Sequence, residues 1–463
     1  MTDTRALLRR TAELAADFLD SLEDRPVFPQ VSPEELRSSL GVPLQDEPLE
    51  PEQVVAELAA ATDPGLVAMP SGRYFGFVIG GGLPAALATD WLTSTWDQNA
   101  GLYAGGPAAS IVEQVVREWV CELLALPPDS SIGLVTGTQM GSVTALAAAR
   151  YRVLERVGWD VSRDGLAGGP RVRVLVGENR HVTIDRALRL LGLGAPELVA
   201  ADDQGRMDAG ALQVALEPGD DPTIVCAQAG EVNTGAFDPF EMIAEATATH
   251  GAWLHVDGAF GLWAAASPGL RHLVRGVERA DSWITDAHKW LNVPYDSALV
   301  LCSDAEAHRA AMTISASYLI QDSGARAVRD EVDWVPEFSR RARGFAVYAA
   351  LRSLGRSGLR DLVERTCECA QRFAEGIVSL PGVELVNEVV LNQVLFRFPT
   401  DEETDDVLRR VQEAGDVWMS GTTWNGRRAI RVSVSNWQTT EQEIALALRS
   451  FREAAQPAQA PAR

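Results

Sequence analysis

The chain has 463 residues, 46% hydrophobic and 23% charged, an ordinary globular balance with material for two or three domains. Its 64 acidic and 41 basic residues give a formal net charge of -23, which argues against binding to nucleic acid or an anionic membrane. No stretch has the apolar length of a membrane span or signal peptide. The odd set Cys121, Cys226, Cys302, Cys367 and Cys369 lacks CxxC spacing, so reduced buried thiols, a cytoplasmic protein and no metal site are expected.

Residues 1–65 read as polar, proline-interrupted helices. Ala6, Leu7, Ala12, Leu14, Ala15, Phe18 and Leu19 form one apolar stripe, too small to fold alone, so the segment must pack on the main body or on another subunit. From residue 66 apolar helices alternate with short β-rich runs. Ile111, Val112, Val115, Val116, Trp119, Val120, Leu123 and Leu124 recur at helical spacing. A strand then enters the glycine-rich turn Gly133-Leu134-Val135-Thr136-Gly137-Thr138-Gln139-Met140-Gly141-Ser142 and leads into a helix. Backbone N–H groups at such a helix start form an anion site, with Thr138 and Gln139 as added donors. Glycine turns also cap helices with no ligand, and the Lys-Ser/Thr of a Walker A loop is missing.

Further strands are predicted at 172–176, 223–226, 253–256, 282–285 and 298–302, with helices between many of them. That alternation implies a mostly parallel sheet covered on both faces, with ligands beyond the carboxyl ends of its strands. His181, in Glu178-Asn179-Arg180-His181-Val182-Thr183, follows a strand and opens a helix. It could stack on a flat ring, or simply cap the helix. Asp257 ends the run Trp253-Leu254-His255-Val256-Asp257-Gly258-Ala259, where a carboxylate can pair with a cationic ring nitrogen; a helix N-cap is the structural alternative. Lys289, in Thr285-Asp286-Ala287-His288-Lys289-Trp290, follows a buried strand in apolar surroundings. Burial disfavours its ammonium form, and a neutral amine can attack an aldehyde to form a Schiff base. Each residue alone admits a structural reading; their combination favours the chemical one.

After residue 316 a long aperiodic stretch reads as a functional lid. Helices follow around 344–354 and 358–379. A small α+β region closes the chain, with Ile430, Val432 and Val434 on the buried face of a half-buried strand and Arg431 on its polar face. The last residues read as a frayed tail.

Together these motifs resemble the group II pyridoxal-phosphate-dependent amino acid decarboxylases, the family of the aromatic amino acid, histidine and glutamate decarboxylases. The likeness runs from about Arg73 to near Glu443. It implies an α/β chain with an aspartate aminotransferase-like (fold type I) large domain and a mostly parallel sheet of the seven-stranded type. The expected division is a helical dimerisation segment 1–65, a cofactor-binding domain 66–355, a small α+β domain 356–455 and a tail 456–463.

By this resemblance Lys289 holds pyridoxal 5'-phosphate as a Schiff base, Asp257 pairs with the pyridine nitrogen and His181 stacks on the ring, with Ala259 beneath its other face. Gly137, Thr138, Gln139 and His288 resemble phosphate contacts, and Asp286 joins the cofactor set. Tyr74, Phe77, Trp96, Tyr318 and Arg431 are the candidate substrate residues, the last for a carboxylate. The arginines of Ser339-Arg340-Arg341 read as structural ion-pair formers. The implied activity is decarboxylation of an L-amino acid by a cytoplasmic homodimer with its active site at the subunit interface.

Two departures stand out. Family decarboxylases usually carry a lid tyrosine that returns a proton to the substrate carbon, and related aldehyde synthases carry phenylalanine there; residues 319–332 contain neither. Glu231, in Ala229-Gly230-Glu231-Val232-Asn233-Thr234-Gly235, stands near where the family often places threonine or asparagine. An aldehyde synthase, an aminotransferase and a carbon–carbon lyase therefore remain alternatives with the same cofactor. A non-catalytic α/β ligand-binding protein is the alternative of another class.

Overall fold

The computed structural model describes residues 3–456 apart from 218, 220 and 315–327. Tyr318, most of the expected lid and the tail from 457 onward therefore lie outside the described residues.

A seven-stranded sheet forms the centre, built from β1 (Ser131–Val135), β2 (Arg173–Gly177), β3 (Glu197–Val199), β4 (Thr223–Gln228), β5 (Trp253–Asp257), β6 (Ser282–Asp286) and β7 (Ala298–Cys302). The spatial order is β1-β7-β6-β5-β4-β2-β3. All neighbours run parallel except β7, which is antiparallel to both β1 and β6. The short β3, carrying Glu197 and only half-buried, has no apolar run to announce it in the sequence.

The strands are apolar because both faces are covered, and successive side chains serve opposite cores. Val174, Val176, Ile224, Cys226 and Trp253 pack with Leu146, Leu154, Ile184 and Leu188 from the helices Thr138–Glu155 and Val182–Leu190. Leu175, Val225, Leu254 and Val256 point the other way, toward Leu212, Phe240 and Ile243. Doubly wound sheets of this kind gather polar groups where the strands end, and here β5 ends on Asp257 and β6 on Asp286.

The expected helices around 344–354 and 358–379 form one element, Gly344–Ile377, broken at Gly355 by φ 61°. It leads to a second sheet, β8 (Glu384–Leu385), β9 (Gln393–Arg397), β10 (Ser420–Trp424) and β11 (Arg427–Ser433), in the order β10-β11-β9-β8. The expectation of a half-buried β11 is corrected: from Ala429 onward the strand is buried on both faces. Ile430 and Val432 face Phe373, Phe396 and Phe451. The other face closes on the β4–β5 side of the molecule, where Arg431 donates to the Val232 carbonyl (3.2 Å). A polar residue pattern thus marks an interface between the two sheets rather than solvent.

The first 65 residues are helical as expected: Thr4–Asp20, Pro33–Leu40 and Pro51–Thr62, the second closed by a capping box of Ser32 and Glu35. No residue of Thr4–Asp20 is buried. Among the described residues no helix is long and apolar enough to cross a membrane, and all five cysteines are free and buried.

Candidate active site

Lys289 lies in the connection between β6 and β7. Its Nζ is 3.0 Å from Asp286 Oδ2, so its surroundings are ionic rather than apolar as the sequence suggests. Asp286 also accepts from the Thr138 N–H (2.8 Å) and hydroxyl (2.9 Å). Burial works to raise the Asp286 pKa, but Lys289, His288 and the bonds from Lys289 and Thr138 overcome it and hold it below the ordinary value.

The glycine-rich turn meets this cluster directly. A Cβ on Gly137 would stand 3.5 Å from the His288 ring. Both donors of Thr138 are engaged by Asp286, so the anion-binding capacity of this helix start falls to Gln139, whose N–H has no intrahelical partner. The Gln139 side chain donates to the Thr183 carbonyl (3.2 Å), while its Oε1 is buried without a partner. His288 Nδ1 accepts from the Ser297 N–H (3.2 Å), which leaves the proton on Nε2, 3.5 Å from Asp286 Oδ1. Burial lowers the His288 pKa against the pull of Asp286. The Ser297 hydroxyl beside it is buried and unpartnered.

Asp257 is buried at the end of β5. Its hydrogen bond comes from the Ala259 N–H (3.1 Å), and no cation among the described residues lies within ion-pair distance. Burial raises its pKa, opposed by His181, Lys289 and the Ala259 N–H. Ala259 links both acids, since its carbonyl accepts from the Asp286 N–H (2.8 Å). His181 caps the helix Val182–Leu190 and pairs through Nδ1 with the Thr183 hydroxyl (2.9 Å). Its capping and chemical readings are therefore compatible: Asp257, Lys289, Arg431 and Asp286 all act on it electrostatically. Burial, the largest influence, lowers its pKa and so favours the neutral imidazole.

Arg431 faces this cluster from β11. It is buried, its Nε has no partner, and no carboxylate among the described residues forms an ion pair with it. Burial lowers its pKa, with Glu231 working against that shift. Glu231 itself closes its own loop, accepting from the N–H groups of Asn233 (2.6 Å) and Thr234 (2.7 Å), the Asn233 amide (2.9 Å) and the Thr234 hydroxyl (3.2 Å). Burial raises its pKa and those bonds lower it.

Of the aromatic substrate candidates among the described residues, Tyr74 and Phe77 share one ring and Trp96 packs on another. Tyr74 is buried in a stack on Trp418 (5.2 Å, 6°), Phe77 is half exposed beside the same ring (5.7 Å), and Trp96 meets Phe345 edge-on. A cavity of about 800 Å³ lies instead beside the lysine turn, with Met69, Ile79, Gly80, Leu87, Trp91 and Tyr295 in its wall. Tyr295 stacks on His288 (4.2 Å, 26°), so one aromatic ring separates the ionic cluster from this apolar space. Tyr295 escapes the sequence reading, although its place six residues after Lys289 is a signal that could have found it. The arginines of Ser339-Arg340-Arg341 are ion-pair formers as expected: Arg340 is fully buried on Glu113 (2.7 Å), and Arg341 pairs with Asp90 (2.7 Å).

Residues 33–399 match the family model described as the pyridoxal-dependent decarboxylase conserved domain. The chain is 27% identical to tryptophan decarboxylase 1 of Oryza sativa subsp. japonica, with 96% of this chain and 91% of that protein aligned. It is also 27% identical to the aromatic-L-amino-acid decarboxylase of Sus scrofa (97% and 96% covered) and to the phenylacetaldehyde synthase of Arabidopsis thaliana (96% and 94%). A crystal structure of Oryza sativa TDC with PLP and tryptamine superposes with a TM-score of 0.91 at 25% identity, covering 98% of this chain and 97% of that one. The chain belongs to the pyridoxal-dependent decarboxylase family. It is a pyridoxal-phosphate-dependent carboxy-lyase acting on an amino acid, with the fold type I architecture expected from the sequence.

The residues present suit that cofactor. A buried carboxylate without an ion-pair partner among the described residues, an amine on the adjoining strand connection and the unpartnered Ser297 hydroxyl match a cationic ring, an aldehyde and a phosphate respectively.

Proposed function

We propose that this enzyme decarboxylates an L-amino acid with an apolar or aromatic side chain, and that Lys289, Asp257 and His181 carry the chemistry. Bound pyridoxal phosphate supplies the electron sink that stabilises the carbanion left when carbon dioxide departs. Lys289 is its covalent anchor. Asp257 holds a proton on the ring nitrogen, and the observation that carries this assignment is a buried carboxylate with no cation of its own. His181 and Ala259 would hold the cofactor ring between them. Gly137, Thr138, Gln139 and His288 surround the phosphate end, with Asp286 acting through Thr138 and Lys289. Arg431 receives the substrate carboxylate, supported by its burial without an acidic ion-pair partner among the described residues. The side chain of the substrate enters the apolar cavity past Tyr295.

We propose the chain division given by the sequence, with the boundary near 355 supported by the break at Gly355. The enzyme acts as a cytoplasmic homodimer; the homodimer is supported by the helix Thr4–Asp20, which lines the outer cavity wall yet has no buried residue.

Borohydride reduction of the yellow holoenzyme should leave the cofactor mass on the peptide containing Lys289, and Lys289→Ala should lose it. Mass on another lysine would overturn the assignment. Incubation with a panel of amino acids should yield equimolar carbon dioxide and amine from an apolar or aromatic member. Aldehyde with ammonia would favour the aldehyde synthase reading, for which the missing lid tyrosine is the supporting feature.

A further inference from the structure

Three segments far apart in the sequence converge on one side chain. Asn292 is fully buried three residues beyond Lys289, with φ 56° in the left-handed region that asparagine tolerates better than most residues. Its Oδ1 accepts from the N–H groups of Gly81 (2.7 Å) and Trp437 (2.9 Å). Its Nδ2 donates to the carbonyls of Trp290 (2.8 Å) and Ser435 (2.9 Å). All four hydrogen-bonding positions of the carboxamide are therefore filled.

The backbone completes the joint. Asn292 N–H donates to the Lys289 carbonyl (3.1 Å), and the Asn292 carbonyl accepts from Leu83 N–H (2.7 Å). Gly80 N–H donates to the His288 carbonyl (3.3 Å). A Cβ on Gly80 would come within 2.2 Å of the Lys289 carbonyl oxygen, so the strip can lie on the lysine turn only as glycine. One amide thus binds the lysine turn to itself, to the glycine strip before residue 84 and to the segment that follows β11.

We infer that Asn292 is a positioning residue for Lys289, fixing the turn from which its amine reaches into the site. The inference rests on the proposed anchoring role of Lys289. Its physical basis is geometric: a buried carboxamide with four partners has one orientation, and losing it leaves two carbonyls and two N–H groups unpaired across three segments.

Asn292→Gly keeps the left-handed backbone and removes the amide. Asn292→Asp keeps both acceptors and removes both donors. Asn436→Ala serves as a comparison, because its equally buried amide clamps the carbonyls of Pro70 (2.9 Å) and Ser71 (3.0 Å) without touching the lysine turn. In the cofactor-free chain, amide hydrogen exchange of the peptide spanning 287–293 should quicken on the order of tenfold or more in Asn292→Gly and not in Asn436→Ala. In the holoenzyme, both Asn292 variants should shift the pH at which the yellow Lys289 linkage titrates. They should lower kcat by roughly 10- to 100-fold with little change in KM. Parental exchange and parental linkage titration in a folded Asn292→Gly protein would overturn the inference. The exchange measurement needs no cofactor, so it decides the role of Asn292 even if the parent carries its cofactor on a different lysine.

Discussion

Asp257 and Glu331 are both buried acids, and their surroundings give them opposite uses. Asp257 has raised proton affinity and no cation, so charge at that point is useful only when a cationic ring arrives. Asp257→Asn should retain the covalent cofactor mass on Lys289 and lower kcat by roughly 100-fold or more. The cofactor-free variant should melt no lower than the parent, because an uncompensated buried carboxylate has been removed. Activity near the parental level would exclude Asp257 from the chemistry. Glu331 instead belongs to a structural cluster, paired with Arg329 (2.7 Å) and receiving the Ser110 hydroxyl (3.2 Å). Burial first, then Glu113, push its pKa up to about 8 against Arg329 and Arg340. The folded chain therefore keeps a proton that the unfolded chain releases near the ordinary carboxylate value. Stability from this group is full below that value and is lost as pH rises toward 8. The melting temperature should fall over that window in the parent, and Glu331→Gln should flatten the slope. An unchanged slope would remove Glu331 as its source. Lys289, Asp257 and His181 stand out in the sequence as candidates because each lies at or just beyond a strand end or at a helix start. Asn292 and Ser297 do not, because their partners lie far away in the chain or in the folded turn.

At the scale of elements, the pattern of apolar runs gives away the strands whose two faces are both covered, and it fails where an element is short or polar on an inner face. β3 has too few buried residues to register. β11 alternates as a solvent-facing strand would, yet its polar side meets Val232 and Ser420 rather than water. The alternation reports two different neighbours, and composition alone cannot separate a polar interface from solvent. In the strip Gly80-Gly81-Gly82, three successive glycines are compatible with open space or with a turn, while the structure shows a close approach of two backbones. Gly80→Ala would place a methyl against the Lys289 carbonyl and the Asn292 Cα. Overpacking of this kind costs about 1–3 kcal/mol, so the variant should melt lower and bind less cofactor. Parental cofactor content would show that the turn yields without consequence.

Across the whole molecule, the charge of -23 and the scattered ion pairs describe a repelling surface, while the helix Thr4–Asp20, with no buried residue, offers the face on which the proposed second subunit would pack. Leu8 and Leu19 are exposed on that helix at 54% and 39%, so an acid at either position leaves the buried core untouched. If the parent sediments as the proposed dimer, Leu8→Asp with Leu19→Asp should convert it to monomers and lower activity in step. A variant that sediments and reacts like the parent would place the subunit contact elsewhere. The need of this helix for a partner is readable from its narrow stripe; the size of the cavity it borders is not, because Val293, Pro294 and Trp437 reach that wall from distant segments.

The reversal of β7 has a consequence for how this enzyme can vary. Lys289 sits between two neighbouring antiparallel strands whose ladder runs from Ser282 opposite Cys302 to Asp286 opposite Ala298. Asp257 sits on the next strand, in register with Ile284. The distance between amine and carboxylate is therefore set by strand spacing and by the length of one closed connection, as a gauge block is set by its faces. Surface loops elsewhere can lengthen without reaching this gap, whereas one residue inserted between 287 and 297 must be absorbed inside it. Divergence among such enzymes should consequently show as side-chain replacement around a connection of constant length.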